Sequence, residues 1–240
     1  MLKLAAGLAV AVTMFLGSYA AADAAKLPGG PFAVGYDASF AAVMPQTHRA
    51  LKRDFPDQYA AILGQVDRAG LTADPRAVNA RIDAGMTQFT RGLAPSIAQA
   101  PSPALHRMAT LTLITMQKLS AEPGFVCNPV GASKAAFAQQ AMDSLREIDA
   151  SLAATLDAGA QGMRHPVMRR PPTAADSAAV AERLFQSGLT PKAIVATRNS
   201  GFSDPRRCQL GIETLRVLNS GRSQANDALL AILLAEVVAH

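Results

Sequence analysis

The sequence predicts an all-α protein: a single helical domain of about seven to nine helices, in orthogonal or bundle packing, with one disulfide. Half of the 240 residues are hydrophobic, yet only 5% are aromatic, and alanine is abundant. Alanine favours helices because it loses no side-chain entropy there. In addition, apolar residues recur at helical spacing over most of the chain, and no alternating pattern of useful length indicates a strand.

The chain begins with a predicted signal peptide, residues 1–25. Lys3 precedes an almost unbroken apolar run, and small residues then occupy the −3 and −1 positions of two candidate cleavage sites. This layout is typical of a secretory signal. We therefore expect a periplasmic or secreted protein, in a compartment that permits disulfides. The alternative is an uncleaved anchor over residues 4–22, just long enough to span a bilayer, and membrane contact is expected only through it.

Proline and glycine mark the first boundaries of the mature chain. Residues 26–38 are rich in both, and we expect an extended segment there, leading into a helical domain over residues 39–240. The apolar spacing predicts a first helix over residues 39–54 and a second over residues 56–70. These limits follow because proline starts a helix well and glycine commonly ends one.

Two amphipathic helices and one more uniformly apolar helix form the predicted centre of the fold. The first amphipathic helix begins at Asp74 and Pro75, a cap followed by proline. The second covers residues 133–157 and places Asp149 on a solvated face. The helix after Pro103 is apolar on several sides, which predicts burial. The two amphipathic helices carry stripes of the same spacing and are expected to pack side by side: Val78, Ile82, Met86, Phe89, Leu93 and Ile97 in one, and Phe137, Ala141, Leu145, Ile148, Leu152 and Leu156 in the other.

The segment from Gly159 to Pro172 interrupts the helical pattern and is basic. We predict that it forms the longest connection between helices and, at 159–172, a candidate hinge between subdomains. The predicted fold is completed by a short helix near Thr190 and by three longer ones, over about residues 174–187, 203–218 and 223–239.

Cys127 and Cys208 are the only cysteines of the chain. Because an even number of cysteines in an exported protein favours pairing, we predict one disulfide between them. The alternative is a redox-active thiol at Cys208, which lies near a predicted helix N-terminus beside Arg206 and Arg207, features that favour a thiolate. The chain has no C-x-x-C motif, and this favours the structural disulfide.

The basic segment supplies most of the candidate binding residues. Segments that connect helices lie at the surface and often carry function. Six basic side chains are expected to contact a partner or an anionic surface, or to converge on a small anion: Arg49, Arg53, Arg164, His165, Arg169 and Arg170.

A second interpretation of the same segment is a metal site. The spacing Met163-x-His165-x-x-Met168 offers thioether and imidazole ligands, which suit Cu(I). Three arginines nearby disfavour a cation, however. An ordinary surface loop is therefore the favoured interpretation, and no metal or other cofactor is predicted.

The sequence favours a function other than catalysis. It has none of the motifs of common nucleophilic, nucleotide-binding or zinc enzymes. The net charge of +5 is small, and no stretch interleaves basic with aromatic residues, so a nucleic-acid partner is not expected. We predict an exported helical protein that binds a protein or other partner through an inter-helix groove or the basic loop 162–172. The alternatives are a small-anion-binding protein or enzyme with convergent arginines, and a periplasmic metal or redox carrier.

Overall fold

The structure, a computed structural model, describes residues 32–70, 75–121, 144–190, 192 and 205–239, and side chains within 37–64, 84–120, 144–190, 192 and 209–239. This part of the chain is helical and contains no strand, which confirms the all-α prediction. It contains nine helices of ten or more residues and one of five: α1 (Phe32–Val43), α2 (Pro45–Asp54), α3 (Pro56–Gly70), α4 (Pro75–Gly92), α5 (Ala94–Ala98), α6 (Ser102–Ala121), α7 (Leu145–Arg164), α8 (Ala174–Gln186), α9 (Pro205–Ser220) and α10 (Gln224–Ala239).

The start of the domain differs from the prediction. Helix α1 begins at Phe32, so residues 32–38, which were expected to be extended, are helical. Packing of α1 against α2 and α3 explains the difference, because tertiary contacts supply most of the stability of a short helix. The helix predicted over residues 39–54 is divided at Met44, because Pro45 lacks an N–H donor and starts α2 instead.

In the apolar stripe from Met86 to Ile97, Phe89 is partly buried and the other members are buried, but two helices share the stripe. Helix α4 ends at Gly92, and Pro95 lies in the first turn of the short helix α5. The turn at Leu93 redirects the chain, so that α5 packs against α7 and α10.

Helix α7 lies at the centre of the described fold, in contact with α2, α5 and α6. The predicted inner residues Ile148, Leu152 and Leu156 are buried. Asp149, which was predicted to be solvated, is also buried, with 2% of its surface exposed. That prediction was wrong because neighbouring helices cover α7 on more than one side.

Helix α7 extends to Arg164 rather than to Asp157, so the connection predicted at 159–172 begins later. Gly159 was predicted to interrupt the helix, but the glycines of α7 serve a different purpose. A Cβ atom on Gly162 would lie 1.8 Å from the carbonyl oxygen of Ser96. Glycine therefore permits α5 to approach α7 closely. This contact offsets the cost of placing glycine in a helix, about 1 kcal/mol relative to alanine.

The other helices complete one hydrophobic core around α6 and α7. Helix α9 packs against α6, α8 and α10, and α10 also contacts α5. None of the described helices is long and apolar enough to span a membrane. The largest fully buried apolar side chains come from six helices and one connecting residue: Met44, Leu51, Ile97, Leu105, Met108, Leu156, Val180, Leu230 and Leu234.

Several predictions concern residues outside the described ranges. The signal peptide over residues 1–25 and Cys127 are among them, and Cys208 is described by its backbone alone, in the first turn of α9. The disulfide therefore stays a prediction. The short helix expected near Thr190 also falls largely outside the described residues.

Candidate functional site

The exposed segment, residues 163–173, comprises the last two residues of α7 and the connection to α8. Of the six large hydrophobic side chains that are exposed in the described structure, three lie within it: Met163 at 51%, Val167 at 38% and Met168 at 87%. Clustered apolar side chains on a surface indicate an interaction site more strongly than scattered ones do. The segment is therefore the best candidate for a binding surface.

Hydrogen bonds to the end of α5 hold the backbone of the exposed segment. The N–H of Val167 donates to the carbonyl of Gln99 at 2.8 Å. The guanidinium of Arg169 donates to the carbonyls of Ala98 at 3.2 Å and Ala100 at 2.5 Å, groups at a helix end that lack helical partners. Burial lowers the pKa of Arg169, as expected for a cation removed from water. Arg169 is thus an internal anchor of the segment.

At the start of the segment, Arg164 donates from Nη1 to Asp54 at 3.1 Å. Arg53 donates to the same carboxylate, which has no accessible surface. Burial raises the pKa of Asp54. The hydrogen bonds and charges of the two arginines lower it by more, so the pKa lies below its ordinary value. Arg53 and Arg164 therefore converge on a carboxylate that belongs to the chain itself.

At the end of the segment, Arg170 donates from both terminal nitrogens to Asp176, at 2.7 and 3.1 Å. Asp176 and Thr173 form a capping box at the start of α8, in which each side chain accepts the other's backbone N–H. The hydrogen bond from Arg170, together with those from Thr173, holds the pKa of Asp176 well below its ordinary range. This end of the segment is therefore fixed to α8.

The remaining candidate residues are open to solvent. Arg49 lies exposed on α2 with no polar partner in the described structure. The ring of His165 and the sulfur atoms of Met163 and Met168 likewise have no hydrogen-bond partner among the described residues. Within that part of the chain, no three side chains of His, Cys, Asp or Glu come together in a way that could hold a metal.

A polar cluster that the sequence analysis missed joins α1, α2 and α3. Asp37 Oδ1 lies 2.7 Å from His48 Nε2 and accepts the hydroxyl of Tyr59, also at 2.7 Å. Burial raises the pKa of Asp37, but these two hydrogen bonds and the nearby charge of Lys52 together hold the pKa below its ordinary value. Phe40 packs edge-on against His48. The residues come from three helices, so no local motif announces the cluster, and its contacts tie those helices together.

A second missed cluster surrounds the buried ring of His106. Its Nδ1 lies 2.8 Å from Asn219 Oδ1 and its Nε2 lies 3.0 Å from Asp227 Oδ1. The side-chain NH₂ group of Asn219 donates to the hydroxyl of Thr110, so the amide oxygen of Asn219 faces the ring of His106. Both ring nitrogens then face oxygen acceptors, and both donate when these bonds coexist. Ser102 contacts the carboxylate of Asp227 rather than the imidazole. The cluster thus lacks the serine-to-histidine hydrogen bond of a nucleophilic triad.

The two missed polar clusters differ from the exposed segment in where their side chains are directed. The missed clusters are satisfied within the chain and join helices, whereas the exposed segment presents apolar side chains and one imidazole outward on an anchored backbone. No protein-family model, no curated protein and no solved structure matches the chain. The exposed segment is accordingly the feature on which a functional proposal rests.

Proposed function

We propose that this chain is an exported, non-catalytic helical protein that binds a partner protein through the exposed segment. The observation that carries the proposal is the combination of unburied apolar side chains with an anchored backbone. Met163 belongs to the last turn of α7, and Val167 and Arg169 are bonded to the end of α5. Binding would bury apolar surface while ordering little additional backbone, which favours affinity.

The partner that fits this surface presents an apolar pocket bordered by carboxylates. Met168 is the natural anchor, because it is the most exposed of the large hydrophobic side chains that the structure describes and a thioether adapts well to irregular pockets. Arg164 donates a single hydrogen bond to Asp54, so its other N–H groups are open to a carboxylate of the partner. Exposed ion pairs add little free energy, so we assign affinity to Met168 and orientation to Arg164.

The anion-binding alternative has less support. Arg53 and Arg164 already share the carboxylate of Asp54, and Arg169 is bonded to backbone carbonyls. A small anion bound by several of these arginines at once would have to displace these partners. Of the arginines considered, Arg49 alone is exposed without a polar partner in the described structure.

Export and a disulfide belong to the same proposal. The sequence of residues 1–25 supports export, and the pair Cys127 and Cys208 supports the disulfide. Both are tested by the intact mass of the protein recovered from the exported fraction, before and after reduction and alkylation. We expect loss of the signal peptide and alkylation only after reduction. An intact N-terminus argues against cleavage, and thiols that alkylate without reduction argue against the disulfide.

Partner binding is tested by photo-crosslinking in cells. A benzophenone amino acid replaces Met168 and, as a matched control, Ile232, an exposed apolar residue of α10. We expect a discrete adduct from position 168 that is absent from position 232, and mass spectrometry then identifies the partner. Equal adducts from both positions would indicate nonspecific contact and contradict the proposal.

Titration of the purified partner provides the quantitative test. We expect Met168→Asp to weaken binding about tenfold or more. A carboxylate does not fill an apolar pocket, and the carboxylates that border the pocket would repel it. Ile232→Asp should leave the affinity unchanged. Unaltered affinity in Met168→Asp, with the protein still folded by circular dichroism, removes the exposed segment from the interface.

A further inference from the structure

We infer that Met163, His165 and Met168 of the exposed segment form a binding site for Cu(I). The site offers two thioether sulfurs and one imidazole within six residues of sequence. Soft thioether ligands select Cu(I), and imidazole is also a good copper ligand. The inference uses the same segment as the proposed partner binding but does not depend on it.

The arginines that disfavour a cation in the sequence are occupied in the structure. Arg164 is paired with Asp54, and Arg170 is paired with Asp176. Arg169 is directed to the carbonyls at the end of α5. Arg164 and Arg170 therefore each lie against a carboxylate, although Asp54 is shared with Arg53, and Arg169 is held by carbonyl dipoles. The electrostatic objection to a monovalent cation at this segment is correspondingly weak.

The two thioethers are exposed, unlike those elsewhere in the described structure. Met44, Met86 and Met108 are buried in the hydrophobic core, where methionine commonly fills irregular gaps. Met163 and Met168, by contrast, are exposed and flank an exposed histidine. Packing within the chain explains the buried methionines but not the exposed pair. The proposed partner surface accounts for their exposure, and a shared soft metal ion accounts for the placement of two thioether sulfurs on either side of a histidine.

The backbone on both sides of the imidazole is already fixed. The N–H of His165 donates to the carbonyl of Gln161 at 2.7 Å and ends α7. Two residues later, Val167 donates to Gln99 at 2.8 Å. A supported backbone of this kind lowers the cost of forming a metal site.

The ligand set also specifies which metals should bind poorly. It contains no carboxylate and no thiolate, the groups that accompany histidine in most zinc sites. Calcium and magnesium require oxygen ligands, which these three side chains do not provide. We therefore expect strong preference for Cu(I) over Zn²⁺, with hard divalent cations excluded.

The test is an anaerobic competition between the mature protein and the chromogenic Cu(I) chelator bicinchoninate. Cys127 and Cys208 are reduced and alkylated beforehand, so that thiols do not contribute. We expect the protein to withdraw one Cu(I) per chain. Met163→Leu, Met168→Leu and His165→Phe should each weaken Cu(I) binding about tenfold or more, by removing one ligand. Val167→Leu, an apolar exchange within the segment, is the matched control and should not change it.

The leucine variants separate copper binding from partner binding. Leucine preserves the apolar volume of methionine but not its sulfur, so partner affinity should persist while Cu(I) affinity falls. The inference is overturned if the alkylated wild-type protein withdraws no Cu(I), if the three ligand variants bind it as tightly as the wild type does, or if Zn²⁺ binds equally well. Cu(I) uptake that disappears on alkylation would place the ion on the thiols and also overturn it.

Discussion

The carboxylate of Asp149 accepts the backbone N–H of Thr47 at 2.8 Å, although 102 residues separate the two in the chain. Its other oxygen accepts the N–H of Gln46 at 3.0 Å. These donors belong to the first turn of α2, where Met44 provides no side-chain cap. Helix α7 thus supplies the N-terminal cap of α2 from within the core.

Removal of this cap should destabilise the protein substantially. We expect Asp149→Ala to lower the free energy of unfolding by about 2 kcal/mol or more, because two N–H groups of α2 lose their acceptor inside the protein. Urea denaturation followed by circular dichroism measures the change. Arg146→Ala, at an exposed position of the same helix, is the control. If both variants lose equally little stability, the carboxylate is not an effective cap.

The two glycines at the ends of α4 and α7 should respond oppositely to alanine. Gly162→Ala places a methyl group against the carbonyl of Ser96 and should cost about 1–3 kcal/mol or more. Gly92→Ala meets no atom within 4 Å and should be neutral or stabilising by about 0.5 kcal/mol. Thermal denaturation of both variants provides the comparison. Equal stability in the two would mean that α5 and α7 are not in close contact.

Asp54 should make folding stability sensitive to acid. Burial raises the pKa of Asp54, but Arg53 and Arg164 lower it by more. The pKa of Asp54 is therefore lower in the folded protein than in the unfolded chain. The stabilisation of the folded state by Asp54 is fully present above the unfolded pKa of about 4. It is lost as the pH falls through the folded pKa, because the unfolded chain then binds more protons. Stability measured between about pH 6 and pH 3 should therefore fall less in Asp54→Asn than in the wild type.

The control for this experiment is Asp57→Asn, at an exposed position with no ion pair in the described structure. That variant should retain the acid dependence of the wild type. If Asp54→Asn retains it as well, the pairing with Arg53 and Arg164 does not contribute to stability.

The exposed methionines should oxidise before the buried ones. Met168 and Met163 are open to solvent, whereas Met44 and Met108 are enclosed in the core. Oxidation follows access to the sulfur, so dilute peroxide should convert the first two to sulfoxides while the protein remains folded. Peptide mapping by mass spectrometry reports the order. Early oxidation of Met108 would show that the core is less closed than the structure indicates.

The helix boundaries that proline determines were largely predictable. Pro56, Pro75 and Pro205 all start helices in the structure. The local chemistry of proline explains this success, since its fixed φ and missing donor act within one turn. The same rule applied to Pro45 and Pro95 divides two helices that the apolar spacing alone had joined.

The candidate site was predictable only as a stretch of sequence. Composition identified the basic segment and its methionines, because exposed connections between helices are polar and interrupted by proline. The partners of its arginines were not predictable. Asp54 lies 110 residues from Arg164, and Ala98 lies 71 residues from Arg169. Only the packing of α2 and α5 against α7 brings these groups together.

The sequence by itself determined the helical class, most helix starts and the apolar stripes, because these depend on interactions within a few residues. Tertiary structure alone decided where glycine continues a helix and which carboxylates are buried. Gly162 remains helical because α5 lies against it, and Asp149 is buried because its partner is the start of α2. Both outcomes depend on distances between residues far apart in the chain, and local pattern carries no information about those distances.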